Sequence, residues 1–155
     1  MKLLSLDVGD RRVGVAVSDA SGLIASPLAV IRRTSKAQDF VKIARLVQEQ
    51  GAGGLVVGHP LNRDGSVGPQ AQRVERYTAA LAEALLAQGL DLPILMWDEY
   101  MSTQRAQEAM IAAGRRAKDR RARIDAAAAA VILQDYLDEH RQSDEGRQTI
   151  RLGSC

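Results

Sequence analysis

The most constraining feature of this sequence is a change of hydrophobic period near residue 35. Before it, three short apolar segments are separated by turns too short to hold a helix. Valines alternate with small residues from Val13 to Ser18, a period of two that is typical of a strand. Leu3 to Leu6 and Leu23 to Ile31 are predicted strands on either side, and Pro27 favours an edge or a bulge. These segments predict an antiparallel meander.

Further along the chain, apolar residues recur at helical spacing. Lys36 to Gln50 is a predicted helix with Gly51 as its stop, and Leu55 to Val57 reads as a short buried strand. The remaining predicted elements are a helix marked by Val74, Tyr77, Leu81 and Leu85, a strand over Pro93 to Trp97, a helix from Ser102 or Thr103 to Ala113, and a last helix from Ile124 to about His140.

The resulting order, β-β-β-α-β-α-β-α-α, predicts the α/β class, with a mixed sheet flanked by helices. Residues 1–140 show no internal linker and are expected to form one domain. Residues 141–155 are polar and without period, so they are expected to form a flexible tail.

Composition argues against a membrane span, a disulfide and a zinc cluster. The chain has 155 residues, 46% of them apolar, and no stretch approaches the length of a membrane span. Its one cysteine, Cys155, excludes an intrachain disulfide, and with only two histidines a zinc cluster is not expected. The sequence predicts a cytoplasmic protein with no membrane partner.

Positive charge is concentrated in one part of the sequence. Net charge is only +2, yet Met101 to Asp125 carries seven Arg or Lys against three Asp or Glu, a local balance of +4. A run of this kind could neutralise the phosphates of a nucleic acid, although charge runs are more often simply solvated. The candidates for nucleic-acid contact in this run are Arg116, Lys118 and Arg121.

Three acidic positions are candidates for chemistry. Asp7 follows an apolar strand and precedes Gly9, a costly place for a carboxylate unless a cation satisfies it. Asp98 and Glu99 follow the last predicted strand, where sites of α/β sheets gather. Asp125 opens the last helix, where the helix dipole alone would favour an acid. Each is ambiguous by itself, but together they form a plausible ligand set for Mg²⁺ or Mn²⁺. Such ions promote phosphodiester hydrolysis.

The longest predicted loop runs from Gly58 to Pro69, after a buried strand. Asn62, Arg63 and Ser66 could contact phosphate or sugar there, although their residue types also suit an ordinary surface loop. His59 is a weaker candidate for proton transfer, since a lone loop histidine is usually just exposed.

In this order, the motifs resemble the YqgF family of small ribonuclease H-like proteins, described as Holliday-junction resolvases and as pre-16S ribosomal RNA nucleases. The resemblance covers about residues 2 to 138. It rests on four segments: Leu6-Asp7-Val8-Gly9 with Arg12 to Ala16, Val57 to Asn62 with Asp64-Gly65-Ser66 and Gly68-Pro69, Asp98-Glu99 with Ser102-Thr103, and Asp125 to Ala128 with Ile132 to Leu137.

The resemblance implies a five-stranded ribonuclease H-like sheet with three antiparallel strands followed by two parallel ones. It implies that Asp7, Glu99 and Asp125 are the catalytic, metal-binding set, and that Arg12 and the loop from His59 to Pro69 line the substrate groove. Two positions depart from the family pattern. Tyr100 stands where an Arg is usual, which removes a bidentate phosphate contact, and His59 stands where Leu is common.

The resulting prediction is a Mg²⁺- or Mn²⁺-dependent endonuclease of structured RNA, with a ribosomal RNA precursor as its substrate and a monomeric or homodimeric state. A four-way DNA junction is the alternative substrate, and a dimer would suit symmetric cutting. A non-catalytic RNA-binding ribosome-assembly factor is the alternative class, because of Tyr100. An ATP-using protein of the sugar-kinase and actin type is less favoured, since those generally need two domains.

Overall fold

The protein is described by a computed structural model over residues 1–98 and 126–140. Five strands form one sheet in the order β3-β2-β1-β4-β5. The strands are β1 (Leu3–Val8), β2 (Arg12–Ser18), β3 (Ala25–Arg32), β4 (Gly54–His59) and β5 (Ile94–Asp98). The helices are α1 (Lys36–Gln50), α2 (Pro69–Ala87) and α3, which occupies residues 126–140. The helix predicted up to Ala113 and the tail beyond residue 140 lie outside the described residues.

The sheet is mixed, as predicted. β1 pairs antiparallel with β2, which pairs antiparallel with β3, whereas β1, β4 and β5 are parallel to one another. The carboxyl ends of β1, β4 and β5 therefore meet at one edge of the sheet. In α/β sheets this is the edge where binding sites form.

Both expectations for Pro27 are confirmed. β3 is at the edge of the described sheet. Pro27 pairs with Ala16, and the register shifts between Val15 and Ala16. Proline lacks a backbone donor, so an edge strand with an irregular register tolerates it.

The boundaries of α1 are those the sequence predicts. The Ser35 hydroxyl accepts a hydrogen bond from the Gln38 backbone N–H and caps the start of the helix. Gly51 ends it in the left-handed region, at a φ of 62°, and its N–H bonds the last turn.

The two faces of the sheet are covered by different helices. The α1–α2 face carries Leu4, Leu6, Leu55 and Val57 and packs against the apolar side of α1 and α2. The α3 face carries Ala16 and Val56, against which Ala129, Ile132 and Leu133 pack, with Leu3 at the border. Ala126, Ala128 and Ala129 are buried, so small side chains line the part of α3 that packs on the sheet.

Each strand differs from its predicted bounds by one or two residues at one or both ends, and the ends of β1 and β4 matter for the site. β1 continues to Val8, because Val8 pairs with Val13 of β2, and β4 continues to His59, which pairs with Asp98 of β5. Asp7 and His59 are therefore strand residues. The expectation that His59 belongs to a loop is wrong, and the reason is a pairing with a strand more than thirty residues away.

Candidate active site

Asp7 lies near the carboxyl end of β1, on the α3 face. Side chains alternate along a strand, and Leu3 and Ser5 both point to α3, so Asp7 points the same way. The residue is partly buried, neither free in solvent nor enclosed in the core. A carboxylate in that position requires compensation by hydrogen bonds or positive charge.

Glycines stand beside Asp7 on both neighbouring strands. Gly14 of β2 is its direct partner in the register. On the other side, Leu6 pairs with Val57 of β4. The next residues on these two parallel strands are Asp7 and Gly58, so they lie side by side. Because neither glycine carries a side chain, neither neighbouring strand places a side chain beside the Asp7 carboxylate on the α3 face. Small residues beside a carboxylate leave room for an ion, water or a phosphate.

Arg12 lies on the same face as Asp7. It precedes Gly14 by two residues in β2, and Gly14 and Ala16 share its side of the strand. The turn before it is tight: the Gly9 N–H donates to the Arg12 carbonyl at 2.9 Å. A Cβ at Gly9 would also come 2.9 Å from that oxygen, so this position requires glycine. The turn holds Arg12 close to the end of β1.

The first described turn of α3 lies towards the Asp7 end of β1. The Ser5 hydroxyl donates to the Ala129 carbonyl at 2.6 Å. Five residues later, Gln134 bonds the Ala25 N–H and the Leu23 carbonyl, at the opposite end of the sheet. The helix therefore runs antiparallel to β1. Its earlier residues approach the strand end that carries Asp7.

Asp98 and His59 lie on the other face. Ile94 and Met96 pack into the core beneath α1 and α2, so by alternation Asp98 points away from Asp7. His59 follows Leu55 and Val57 on that same side, and its Nε2 lies 2.9 Å from a carboxylate oxygen of Glu75 in α2. The idea that His59 assists proton transfer beside Asp7 is therefore not supported, because the sheet separates the two side chains.

Residues 60–68 form a loop held by its own polar side chains. The Asn62 amide donates to the Ser66 hydroxyl at 2.9 Å, and that hydroxyl donates to the Asp64 carboxylate. The Ser66 hydroxyl and backbone N–H lower the pKa of Asp64 below its ordinary value. Asn62 and Ser66 thus shape the loop, while Arg63 is exposed. Their contact with nucleic acid stays a prediction.

Several predicted site residues lie outside the described residues. They are Glu99, Asp125, Arg116, Lys118 and Arg121, together with Tyr100. Within residues 1–98 and 126–140, no three acidic, histidine or cysteine side chains come together as a metal site. A three-carboxylate centre around Asp7 therefore needs ligands from the rest of the chain.

No helix within residues 1–98 and 126–140 is long and apolar enough to cross a membrane.

Two further features of the described residues were not predicted. Trp97 packs edge-on against Tyr136 at 5.4 Å between ring centroids, and Tyr136 stacks on His140 at 3.8 Å, which fastens α3 to β5. A basic cavity lies on the α1–α2 face. The Arg73 and Arg76 pair, three residues apart in a helical segment, was the available sequence signal for that cavity.

The fold is that of ribonuclease H-like resolvases. The structure matches T. thermophilus RuvC in complex with a Holliday junction substrate with a TM-score of 0.57 at 16% identity, over 91% of this chain and 96% of that chain. It matches the yeast mitochondrial Holliday junction resolvase with a TM-score of 0.61 at 14% identity, over 97% and 83%. The five-stranded ribonuclease H-like architecture is confirmed.

Sequence comparison gives the family. A family model described as "RuvX: Holliday junction resolvase" matches residues 1–139, and the chain belongs to this family. A protein of Synechococcus sp. (strain JA-3-3Ab), named "Putative pre-16S rRNA nuclease", is 45% identical over 96% of this chain and 90% of its own length. One of the same name from Thermoanaerobacter pseudethanolicus is 43% identical, over 91% and 99%. The predicted family resemblance is confirmed.

Proposed function

We propose that this protein is a Mg²⁺- or Mn²⁺-dependent endonuclease that hydrolyses phosphodiester bonds of a 16S ribosomal RNA precursor. The observation that carries the proposal is the position of Asp7: near the carboxyl end of a central strand, between glycines of the two neighbouring strands, and on the face that α3 covers. Family membership and the names of the relatives support nuclease activity and this substrate. A cytoplasmic location belongs to the same proposal.

The ligand set in this proposal is Asp7, Glu99 and Asp125. Asp7 supplies the kind of oxygen donor that Mg²⁺ and Mn²⁺ prefer, and the strand residues on either side of it are glycines. Since Asp98 faces the α1–α2 face, Glu99 is the carboxylate of that pair assigned to the site. Asp125 directly precedes Ala126 in sequence, and Ala126 belongs to the part of α3 that approaches the Asp7 end of β1.

The chain's own residues would bind and orient the scissile phosphate. When bound, divalent cations activate the attacking water and stabilise the leaving oxygen. Arg12 lies on the same face as Asp7 and can contact a non-bridging phosphate oxygen, which orients the phosphodiester. Arg63, exposed in the loop after β4, and the basic residues Arg116, Lys118 and Arg121 would contact the backbone on either side. Asn62 and Ser66 would act by holding that loop in shape.

The test compares Asp7→Asn with Asp98→Asn. Both substitutions remove one carboxylate charge at the same sheet edge, but on opposite faces. We expect wild type and Asp98→Asn to cleave a labelled 16S precursor fragment in Mn²⁺, and Asp7→Asn to cleave it at least about a thousandfold more slowly. Full cleavage by Asp7→Asn would exclude the mechanism. Binding of RNA that survives chelation, with no cleavage by wild type, would favour the RNA-binding assembly factor and point to Tyr100.

A four-way DNA junction is the second candidate substrate, because the family description names a Holliday junction resolvase. The same assay with a labelled junction separates the two, since cleavage of one substrate and not the other assigns the class. Resolution cuts two strands symmetrically, which a homodimer suits. Light scattering in the presence of the junction would show a dimer if this is the substrate, and a monomer if it is not.

A further inference from the structure

A cavity of about 250 Å³ lies on the α1–α2 face, beside the turn that follows β1. Val8, Gly9 and Asp10 form one wall, and the first residues of α1 and α2 form the others. The charged side chains that line it are Arg33, Lys36, Arg73, Arg76 and Asp10. Four cations against one carboxylate leave a balance of +3 in a small space, in a chain whose total is only +2.

The cations of the cavity differ in how far they are already neutralised. Arg33 donates to the Gly9 carbonyl at 2.8 Å and lies 3.8 Å from the buried Asp39 carboxylate, so it is part of the wall. Arg73 has a long, exposed contact of 3.9 Å with Asp10. Within the described part of the chain, no carboxylate lies within 4.0 Å of the charged groups of Lys36 or Arg76. These two side chains therefore have charge to offer a ligand.

The helix α2 adds to the positive potential. It starts at Pro69, and its N-cap, Gly68, has no side chain to accept a hydrogen bond from the first turn. Gln70, in that first turn, lines the cavity. A helix N-terminus without a side-chain cap favours an anion, and here it does so together with a cluster of side-chain cations.

The cavity and Asp7 lie on opposite faces of the same sheet edge. Only the turn of residues 9–11 separates them, since Asp7 precedes Val8 and Gly9, and these two residues line the cavity. A nucleic-acid strand that passes over this turn would contact Asp7 and Arg12 on one face and the cavity on the other. The cavity is large enough to hold a phosphate group, and its excess of cations favours an anion.

We propose that this cavity binds one backbone phosphate of the nucleic acid whose scissile bond lies at Asp7. The identity of the bound nucleic acid rests on the proposed function. The binding of its phosphate by the cavity does not, because a phosphate can bind there whether or not cleavage follows. Its contribution is to affinity and strand path. It would not alter the chemical step.

The test measures binding in EDTA, where cleavage is blocked, so failure of the nuclease proposal does not obscure it. Lys36→Gln/Arg76→Gln removes two cavity charges. Lys42→Gln/Arg45→Gln removes two exposed charges from α1 outside the cavity and is the matched control. For a 16S precursor fragment, we expect the cavity variant to bind roughly tenfold more weakly and its slope of log affinity against log salt to fall by about 0.7 to 0.9. The control should stay within about twofold of wild type.

Other outcomes have definite meanings. Equal affinities and salt slopes for the two double variants would overturn the proposal, as would a wild type that binds neither the RNA fragment nor a four-way junction. Weaker binding of the junction alone would support the cavity and reassign the substrate. If inorganic phosphate shifts the amide resonances of Gln70 and Arg76 while RNA affinity is unchanged in the cavity variant, the cavity is a site for free phosphate only and the proposal is wrong.

A kinetic readout separates this role from a catalytic one. If wild type cleaves, the cavity variant should show a raised KM with an unchanged kcat, because it has lost uniform binding to substrate and transition state. A fall in kcat at constant KM would contradict a role in affinity. Thermal unfolding and circular dichroism of both double variants control for folding.

Discussion

The Ser5 hydroxyl donates a 2.6 Å hydrogen bond to the Ala129 carbonyl, although 124 residues separate the two in sequence. Ser5 is fully buried in the middle of β1, and Ala129 is fully buried in α3. The bond therefore fixes the position of α3 along β1. It is the described contact that most directly links the strand of Asp7 to the last helix.

Removing this bond should lower stability without unfolding the sheet. For Ser5→Ala we expect a loss of about 1 kcal/mol of unfolding free energy, measured by urea denaturation, since a net intramolecular hydrogen bond contributes that much. For Ser5→Leu the loss should reach about 1–3 kcal/mol, because the larger side chain would press on Ala129. Ser26→Ala, on the exposed part of the edge strand, is the control and should change stability by less than about 0.5 kcal/mol. Equal effects of Ser5→Ala and Ser26→Ala would contradict the assignment.

Filling the space beside Asp7 should impair the proposed site. Gly14→Ala and Gly58→Ala each add a methyl group on the α3 face, one on either side of the carboxylate. We expect Mn²⁺ affinity and cleavage rate to fall about tenfold or more, while the circular dichroism spectrum stays that of the wild type. Titration with Mn²⁺, followed by electron paramagnetic resonance, measures the first effect. Wild-type affinity in both variants would mean that no ligand occupies the space between the strands.

His59 should be dispensable for chemistry. Its ring lies on the α1–α2 face with Glu75, so His59→Gln should keep the cleavage rate within about threefold of wild type and leave the shape of the pH–rate profile unchanged. Glu75→Gln is the matched variant, since it breaks the same pair from the other side. A hundredfold loss of kcat confined to His59→Gln would restore the proton-transfer hypothesis.

Stability should decline in alkaline solution through Tyr77. Burial, and then the nearby Asp39 carboxylate, raise the pKa of the Tyr77 hydroxyl above its ordinary value of 10.0. The unfolding free energy is unaffected by this group below pH 10. Above pH 10 it falls, because Tyr77 releases its proton in the unfolded chain while the folded chain retains it. Tyr77→Phe should make the fall in unfolding free energy above pH 10 shallower, as measured by urea denaturation at several pH values. An identical alkaline decline in both proteins would rule this cause out.

The loop after β4 offers a prediction about a single carboxyl group. Because the Ser66 hydroxyl is the largest cause of the lowered pKa of Asp64, Ser66→Ala should raise that pKa towards 3.8. In the wild type, the ionised Asp64 carboxylate stabilises the folded state above pH 3.8. This stabilisation is lost as the pH falls through the lowered pKa of Asp64. Carboxyl carbon shifts in an NMR titration measure it. Asp19 is the internal control, since its carboxylate is held by Ser21 and should titrate unchanged.

The sequence predicted what depends on local pattern. The alternation from Val13 to Ser18, the bounds of α1 and the strand-end position of Asp7 were all readable from period, capping and glycine placement. What it could not give was the face on which a residue lies at the end of a strand. Asp98 and His59 resembled site residues until the pairing of β4 with β5 set their direction, and that register depends on contacts far apart in sequence.

The basic cavity escaped prediction for a similar reason. Its cations come from the residue that follows β3, the start of α1 and the first two turns of α2, and no short stretch of sequence contains them together. The run from Arg115 to Arg123 drew attention because its charges are contiguous. Contiguity in sequence is a poor guide to a pocket, which is assembled from separate elements.

The bond between Ser5 and Ala129 also has a consequence for biosynthesis. A chain emerging from the ribosome can fold its amino-terminal meander early, but the Ser5 side of β1 gains its contact with α3 only after residue 129 has left the exit tunnel. Until then Ala16 and Val56 lack the packing that Ala129, Ile132 and Leu133 provide. The apolar residues on this face of the sheet are therefore the last part of the described core to be covered during synthesis.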